Sequence, residues 1–223
     1  MRKALATGRL LDTYRRIAWR YDLQHAALTL GADGRGRRML VERTVKAGDA
    51  VLDCGAGTGA TGILAARRAG PEGHVTLFDL SEAMLEVARQ KAARAGLGER
   101  LTFEAGDMAR LPYEDGSFDV VLSSYSLCPL HDPAQGATEM FRVARPGGLI
   151  GAAHSAEPAS RPVRWLAEKV ENLAWRFPGL SMGCRPVSVL PALQAAGARL
   201  VFSRVIGFPL WPFLVFVAEK PEA

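Results

Sequence analysis

The chain has few cysteines, few histidines and no long apolar run, and each shortage removes a class of protein. Three cysteines, Cys54, Cys128 and Cys184, are dispersed through 223 residues without a Cys-x-x-Cys pair. Neither a disulfide framework nor a zinc site is expected from such a set, and no other metal site is indicated. The longest late apolar stretch, residues 210–218, contains Pro212 and is too short to span a bilayer. The basic start, Met1 to Leu5, does not lead into the apolar core of a signal peptide. A cytoplasmic location is therefore expected. Repeats, low-complexity tracts and linkers are also missing, so the reading is one domain over residues 1–223.

What is present is ordinary globular composition, with 48% hydrophobic and 23% charged residues, and an uneven charge. Residues 1–46 hold eleven Lys/Arg against four Asp/Glu, which outweighs the net +5 of the whole chain. Within them, Leu10, Leu11, Tyr14, Ile17, Ala18 and Tyr21 recur at helical spacing, predicting an amphipathic helix over 10–23. Arg15, Arg16 and Arg20 lie off that face and Trp19 sits at its edge. The glycine-rich stretch 31–36 predicts a break, followed by a second helix over 36–46. A basic amphipathic segment suits either a surface packed on the rest of the domain or a peripheral contact with an anionic membrane through residues 10–23.

From residue 50 the pattern alternates between short apolar strands (50–54, 74–80, 101–105, 118–124 and 149–154) and helices (61–69, 81–95 and 132–144). Asp132-Pro133-Ala134-Gln135 reads as a helix cap with proline at the first position. Such alternation predicts an α/β fold with a doubly wound, mostly parallel sheet. The tail differs. After helices near 161–176 and 186–196, residues 198–206 and 211–219 form an antiparallel hairpin that completes seven strands. The chain is thus divided into a helical lid (1–46), a ligand-binding core (47–155), and a region of helices with a terminal hairpin (156–223).

The first strand runs into Asp53-Cys54-Gly55-Ala56-Gly57-Thr58-Gly59, a glycine loop at the carboxyl edge of the sheet. Glycines there let backbone touch a ligand, and the following helix presents free N–H groups. Asp79 ends the second strand, where a carboxylate can accept hydrogen bonds from both hydroxyls of a ribose. Gly55-x-Gly57-x-x-Ala60 also satisfies a dinucleotide fingerprint, so an NAD-dependent oxidoreductase remains open on these residues alone.

Four segments taken together resemble class I S-adenosylmethionine-dependent methyltransferases, and within them the ubiquinone/menaquinone-biosynthesis group. They are Val51 to Gly59, Phe78 to Leu85, Gly106 to Val121 through Asp107-Met108 and Asp115-Gly116-Ser117-Phe118-Asp119, and Glu139 to Gly148. The resemblance implies a Rossmann-like methyltransferase fold and S-adenosyl-L-methionine as cofactor. It implies that Gly55, Gly57 and Gly59 shape the loop around the methionine part and the ribose, with Asp53 supporting the loop. Asp79 would bind the ribose hydroxyls, and Leu80 and Met84 the adenine. Asp107, beside Met108, would accept from the adenine amino group, and the backbone of Ser124 would meet the methionine amino group.

On the acceptor side the resemblance implies a lid around Tyr21 and His25, with Tyr125, Ser126 and Cys128 near the substrate. His131 and His154, close to the ends of the fourth and fifth strands, are candidate general bases, because histidine titrates near neutrality. Each has an alternative as a hydrogen-bonded structural residue. The segment Gln24-His25 and the run from Ser126 to Leu130 depart from the quinone-methylating pattern. A lipid-like or quinone-type acceptor leads the reading, followed by phospholipid or small-amine N-methylation and then by thiol or O-methylation of a soluble metabolite. The chain carries no nucleic-acid module, so no nucleic-acid partner is expected. Its oligomeric state is open.

Overall fold

A computed structural model describes residues 4–177, 181 and 183–222. Seven strands form one sheet: β1 (Ala50–Cys54), β2 (His74–Asp79), β3 (Leu101–Ala105), β4 (Phe118–Ser124), β5 (Ala144–Ser155), β6 (Arg199–Phe208) and β7 (Trp211–Glu219). Their order is β3-β2-β1-β4-β5-β7-β6. The strands from β3 to β5 run parallel, while β7 is antiparallel to both β5 and β6. The expected doubly wound sheet with a terminal antiparallel hairpin is therefore present.

The chain passes from β1 to β2 on one side of the sheet and later to β4 on the other. The order thus reverses between β1 and β4, which is where open α/β sheets form a crevice at the carboxyl ends of their strands. Strand alternation divides the core. Val51 packs with Leu77, Leu85 and Leu122 on one face, and Leu52 with Phe78, Met140 and Phe216 on the other. Helices α3 (Ala32–Thr44), α4 (Ala60–Ala69) and α5 (Glu82–Arg94) cover the first face, and α6 (Pro133–Val143) packs against the second. Asp132 caps α6 by accepting the Gln135 N–H at 2.9 Å, with Pro133 opening the helix.

Several elements differ from the sequence reading. Residues 10–23 are not one helix. A helix α1 (Thr7–Ile17), a single 3-10 turn (Ala18–Arg20) and a helix α2 (Tyr21–Thr29) take its place. Its apolar face is used internally: Leu10, Ile17 and Ala18 are buried, which leaves Trp19 and Leu23 exposed. The glycine stretch 31–36 does not break the chain as expected. Leu30 and Gly31, both at positive φ, make the turn, and α3 begins at Ala32 and runs through Gly34 and Gly36. Gly36 serves packing, since a Cβ there would overlap the Tyr125 hydroxyl. The fifth strand starts at Ala144, ahead of the expected residue 149, because Arg145 to Gly148 join it through an irregular register.

Beyond the sheet core, α7 (Arg161–Ala174) precedes a short α8 (Leu190–Ala195), where a longer helix over 186–196 was expected. No helix among the described residues is long and apolar enough to cross a membrane.

Candidate functional site

A cleft opens at the carboxyl ends of β1, β2 and β4. It is partly enclosed and open to solvent on one side. Gly55, Gly57, Asp79, Leu80, Met84 and Asp107 line it, together with Met108, Ser124, Tyr125 and Ser126. The lid closes over it with Leu10, Leu11, Tyr14 and Tyr21.

The glycine loop is shaped by close approach at one position and left open at another. A Cβ on Gly55 would overlap Ser126, whereas Gly57, at φ +55, has nothing within 4 Å of the corresponding point. Gly57 therefore offers bare backbone to the cleft, in a conformation other residues rarely adopt. Its N–H donates to Asp79 Oδ2 at 2.8 Å, and Ser81 N–H donates to Oδ1 at 2.8 Å. Burial raises the Asp79 pKa by more than these two N–H groups lower it. Each carboxylate oxygen keeps lone-pair capacity for a further donor.

Asp53 lies behind the loop and does not line the cleft. Its side chain is fully buried, and neither oxygen has a hydrogen-bond partner among the described residues. Burial pushes its pKa up to about 7; the Gly62 N–H and Arg37 act in the opposite sense, without a hydrogen bond of ordinary geometry being closed. Gly59 is also withdrawn from the cleft, packed against Leu77 and Ala88. Asp107 is exposed at the cleft edge and accepts the Ala109 N–H at 2.9 Å. Ser124 and Thr61 share a hydroxyl hydrogen bond of 2.6 Å, and Ser126 donates to Cys54 O at 2.9 Å.

The structure does not bring the two candidate bases to the cleft. His131 is exposed just before α6. His154 is buried beside Phe216, with Nδ1 3.0 Å from Ser155 O and Nε2 unpartnered among the described residues. Burial lowers its pKa, so it is held neutral. Cys128 is also buried away from the cleft, where its Sγ accepts the Ser155 N–H at 3.3 Å. His25 stands behind the cleft wall, its ring stacked on Tyr21 at 5.4 Å and tilted against Tyr125 at 5.2 Å.

Two features were not anticipated. Arg37 lines the cleft, bonds Asp33 Oδ2 at 2.5 Å and lies 5.1 Å from the centre of the Tyr125 ring. His25 Nδ1 shares the same Asp33 oxygen at 3.0 Å. Burial works against the Asp33 charge, but His25 and Arg37 outweigh it and hold the carboxyl well below the usual range. The i,i+4 spacing of Asp33 and Arg37 was the available signal. The second feature is a lid latch: Thr58 donates to Asp22 Oδ1 at 2.5 Å, and Lys91 Nζ reaches Asp22 Oδ2 at 2.7 Å. It ties α2 to both the glycine loop and α5, across separations that no local pattern reports.

Comparison with known proteins agrees with this geometry. A family model described as a methyltransferase domain matches residues 45–176. The demethylmenaquinone methyltransferase of Lactobacillus johnsonii is 33% identical over 150 residues, covering 67% of this chain and 62% of that protein. The protein of the same name from Deinococcus radiodurans is 39% identical over 150 residues, covering 67% and 61%. The ubiquinone/menaquinone biosynthesis C-methyltransferase UbiE of Roseobacter denitrificans is 32% identical over 144 residues, covering 64% and 57%. The chain thus spans about three fifths of the length of these relatives.

Among solved structures, an S-adenosylmethionine-dependent methyltransferase from Aquifex aeolicus superposes with a TM-score of 0.60 at 22% identity, covering 83% of this chain and 89% of that one. The [4+2]-cyclase SpnF reaches 0.69 at 22% identity, covering 87% and 83%. The cyclase is a reminder that the fold alone does not set the reaction. The sequence matches run through the glycine loop and the strand ends that build the cleft, and on their strength the chain belongs to the methyltransferase-domain family.

Proposed function

We propose that this chain is an S-adenosylmethionine-dependent methyltransferase acting on a lipid-like, quinone-type acceptor. The observation that carries the reading is the cleft beside the glycine loop, where Gly57 offers bare backbone and Asp79 keeps acceptor capacity on both carboxylate oxygens. Backbone without a side chain next to a carboxylate at a strand end fits a ribose-bearing ligand.

When bound, S-adenosylmethionine supplies an electrophilic sulfonium methyl. The residues of the chain have to hold it and present the acceptor. Gly55, Gly57 and Gly59 give the loop its shape, and Asp53 steadies the loop and the amino end. Asp79 accepts from ribose hydroxyls with the lone pairs that Gly57 and Ser81 leave free. Leu80, Met84 and Met108 supply apolar contact for the adenine, with Asp107 at its edge and the Ser124 backbone at the methionine end.

On the acceptor side, Tyr21, Tyr125 and Ser126 shape the wall, and the closed lid excludes water. Arg37 beside Tyr125 favours the ionised form of an acceptor hydroxyl, which is the nucleophilic form for methylation on oxygen or on ring carbon. Neither His131 nor His154 is given the role of base, since neither reaches the cleft. The quinone-type acceptor is supported by the names of the relatives. Any bilayer contact by residues 10–23 rests on Trp19 and the neighbouring arginines, because the apolar face of the segment is occupied.

A thermal-shift comparison of S-adenosylhomocysteine with NADH tests the cofactor. S-adenosylhomocysteine at a hundred times its dissociation constant stabilises a protein by about 3 kcal/mol. That shift is expected here, and its loss in Asp79→Ala. Stabilisation by NADH alone would reverse the assignment.

A further inference from the structure

Behind the wall of the cleft lies a second cavity, open to solvent on one side. Leu28, Tyr125, Val170, Cys184, Trp211 and Phe213 form most of its surface, with His25 and Thr29 from the lid side. None of its lining residues is Asp, Glu, Lys or Arg. The first cleft, by contrast, is lined by Asp79, Asp107 and Arg37. A charged ligand would find no counter-charge in the second cavity, whereas a hydrocarbon would lose water against its apolar side, with His25, Thr29, Ser155 and Ser181 as the polar part of the lining.

Among the described residues, Tyr125 alone lines both spaces. It stands at φ +61, an uncommon conformation for a tyrosine, and is fixed from every side. Its N–H donates to Ala153 O at 2.7 Å, and Arg37 lies over its ring. His25 packs beside it, and Phe213 meets it edge-on at 5.2 Å. The missing Cβ of Gly36 makes room for its hydroxyl. A strained residue held this firmly gives the two spaces one rigid shared side chain. Two of its apolar lining side chains are open to solvent: Leu28 at 46% and Val170 at 38% exposure.

We propose that the second cavity seats the hydrocarbon chain of the methyl acceptor, with the acceptor's ring on the cleft side of Tyr125 and its chain running past that side chain between α2 and α7. The proposal rests on the lipid-like acceptor assigned above and adds where the chain is held and which residues measure it. Recognition is by burial alone. Each methylene accommodated is worth about 0.8 kcal/mol, or about fourfold in affinity, until the cavity is full.

Trp211 in the cavity wall allows a test that does not depend on methyl transfer. The probe is a bromine-terminated undecanol, which quenches tryptophan on contact. Saturable quenching is expected in the full chain, and its saturable part is lost in Trp211→Phe. Val170→Phe, a change at the half-exposed mouth, should weaken probe binding by about tenfold through exclusion of one or two methylenes. S-adenosylhomocysteine binding, measured on the same samples, reports that each variant is folded. In parallel, the KM of alkyl-substituted hydroquinones should fall with chain length and then level off.

Quenching that is non-saturable, or indifferent to both substitutions, would overturn the proposal while leaving the cofactor assignment untouched. So would a KM that does not depend on chain length. Chain binding at Trp211 combined with methyl transfer only to tail-free acceptors would instead overturn the lipid-like acceptor, and the tail seat with it.

Discussion

Replacing Asp53 by asparagine removes a titrating carboxyl whose oxygens have no hydrogen-bond partner among the described residues. The carboxyl is fully buried, and its pKa is raised by burial from 3.8 to about 7. The folded state therefore keeps a proton that the unfolded state has already released. Stability from this group is full below about pH 4 and is lost as pH rises towards 7, at about 1.4 kcal/mol per pH unit. The total is about 4 kcal/mol, reached just above pH 7. Asparagine has nearly the same shape and does not titrate, so the stability of Asp53→Asn relative to the parent should improve by about 3 kcal/mol between about pH 5 and pH 8. Urea unfolding of both proteins across that range measures the difference. A difference between the two proteins that is the same at every pH would refute the reasoning. So would a parent that gains on the variant as pH rises.

Other perturbations test other parts of the site. Asp79→Asn should weaken S-adenosylhomocysteine binding by about tenfold to a hundredfold, the worth of one charge-assisted hydrogen bond, as read by calorimetry. Gly36→Ala brings a methyl group onto the Tyr125 hydroxyl and should cost about 1–3 kcal/mol of stability, seen as a lower melting temperature. Lys91→Met opens the latch on Asp22; the partly exposed pair contributes less than about 1 kcal/mol to global stability, so the expected effect is faster proteolysis within residues 7–29 and a higher KM for S-adenosylmethionine with little change in melting.

The sheet was legible because its signals are local and repeated. Apolar strands such as 50–54 and 118–124 alternate with capped helices, and topology rules then allow few arrangements. The glycine loop and Asp79 could be placed because they sit at strand ends, where alternation and connectivity fix their position. The lid was harder to read. One helical period over 10–23 gave no sign of the 3-10 turn at Ala18–Arg20, since the turn is imposed by docking on α5. Glycines 34 and 36 suggested a break, yet their service is close packing inside α3. Asp22 and Lys91 meet across 69 positions, which no pattern in the sequence reports. Tyr125 was chosen for its place after the fourth strand; its positive φ and its standing between two cavities follow from Gly36, Arg37 and Phe213, which reach it from distant parts of the chain. His131 and His154 were chosen by residue type near strand ends, and type alone does not say whether a side chain faces a cleft, solvent or core.

The most direct test of the central claim is transfer of a labelled methyl group. The protein is incubated with methyl-labelled S-adenosylmethionine and a lipid extract containing demethylated quinols, with Asp79→Ala as control, and the products are partitioned between organic and aqueous phases. The account predicts label in the organic phase, on a quinol, with the parent protein and not with the variant. Label confined to the aqueous phase, or no transfer by a protein that demonstrably binds S-adenosylhomocysteine, would contradict it.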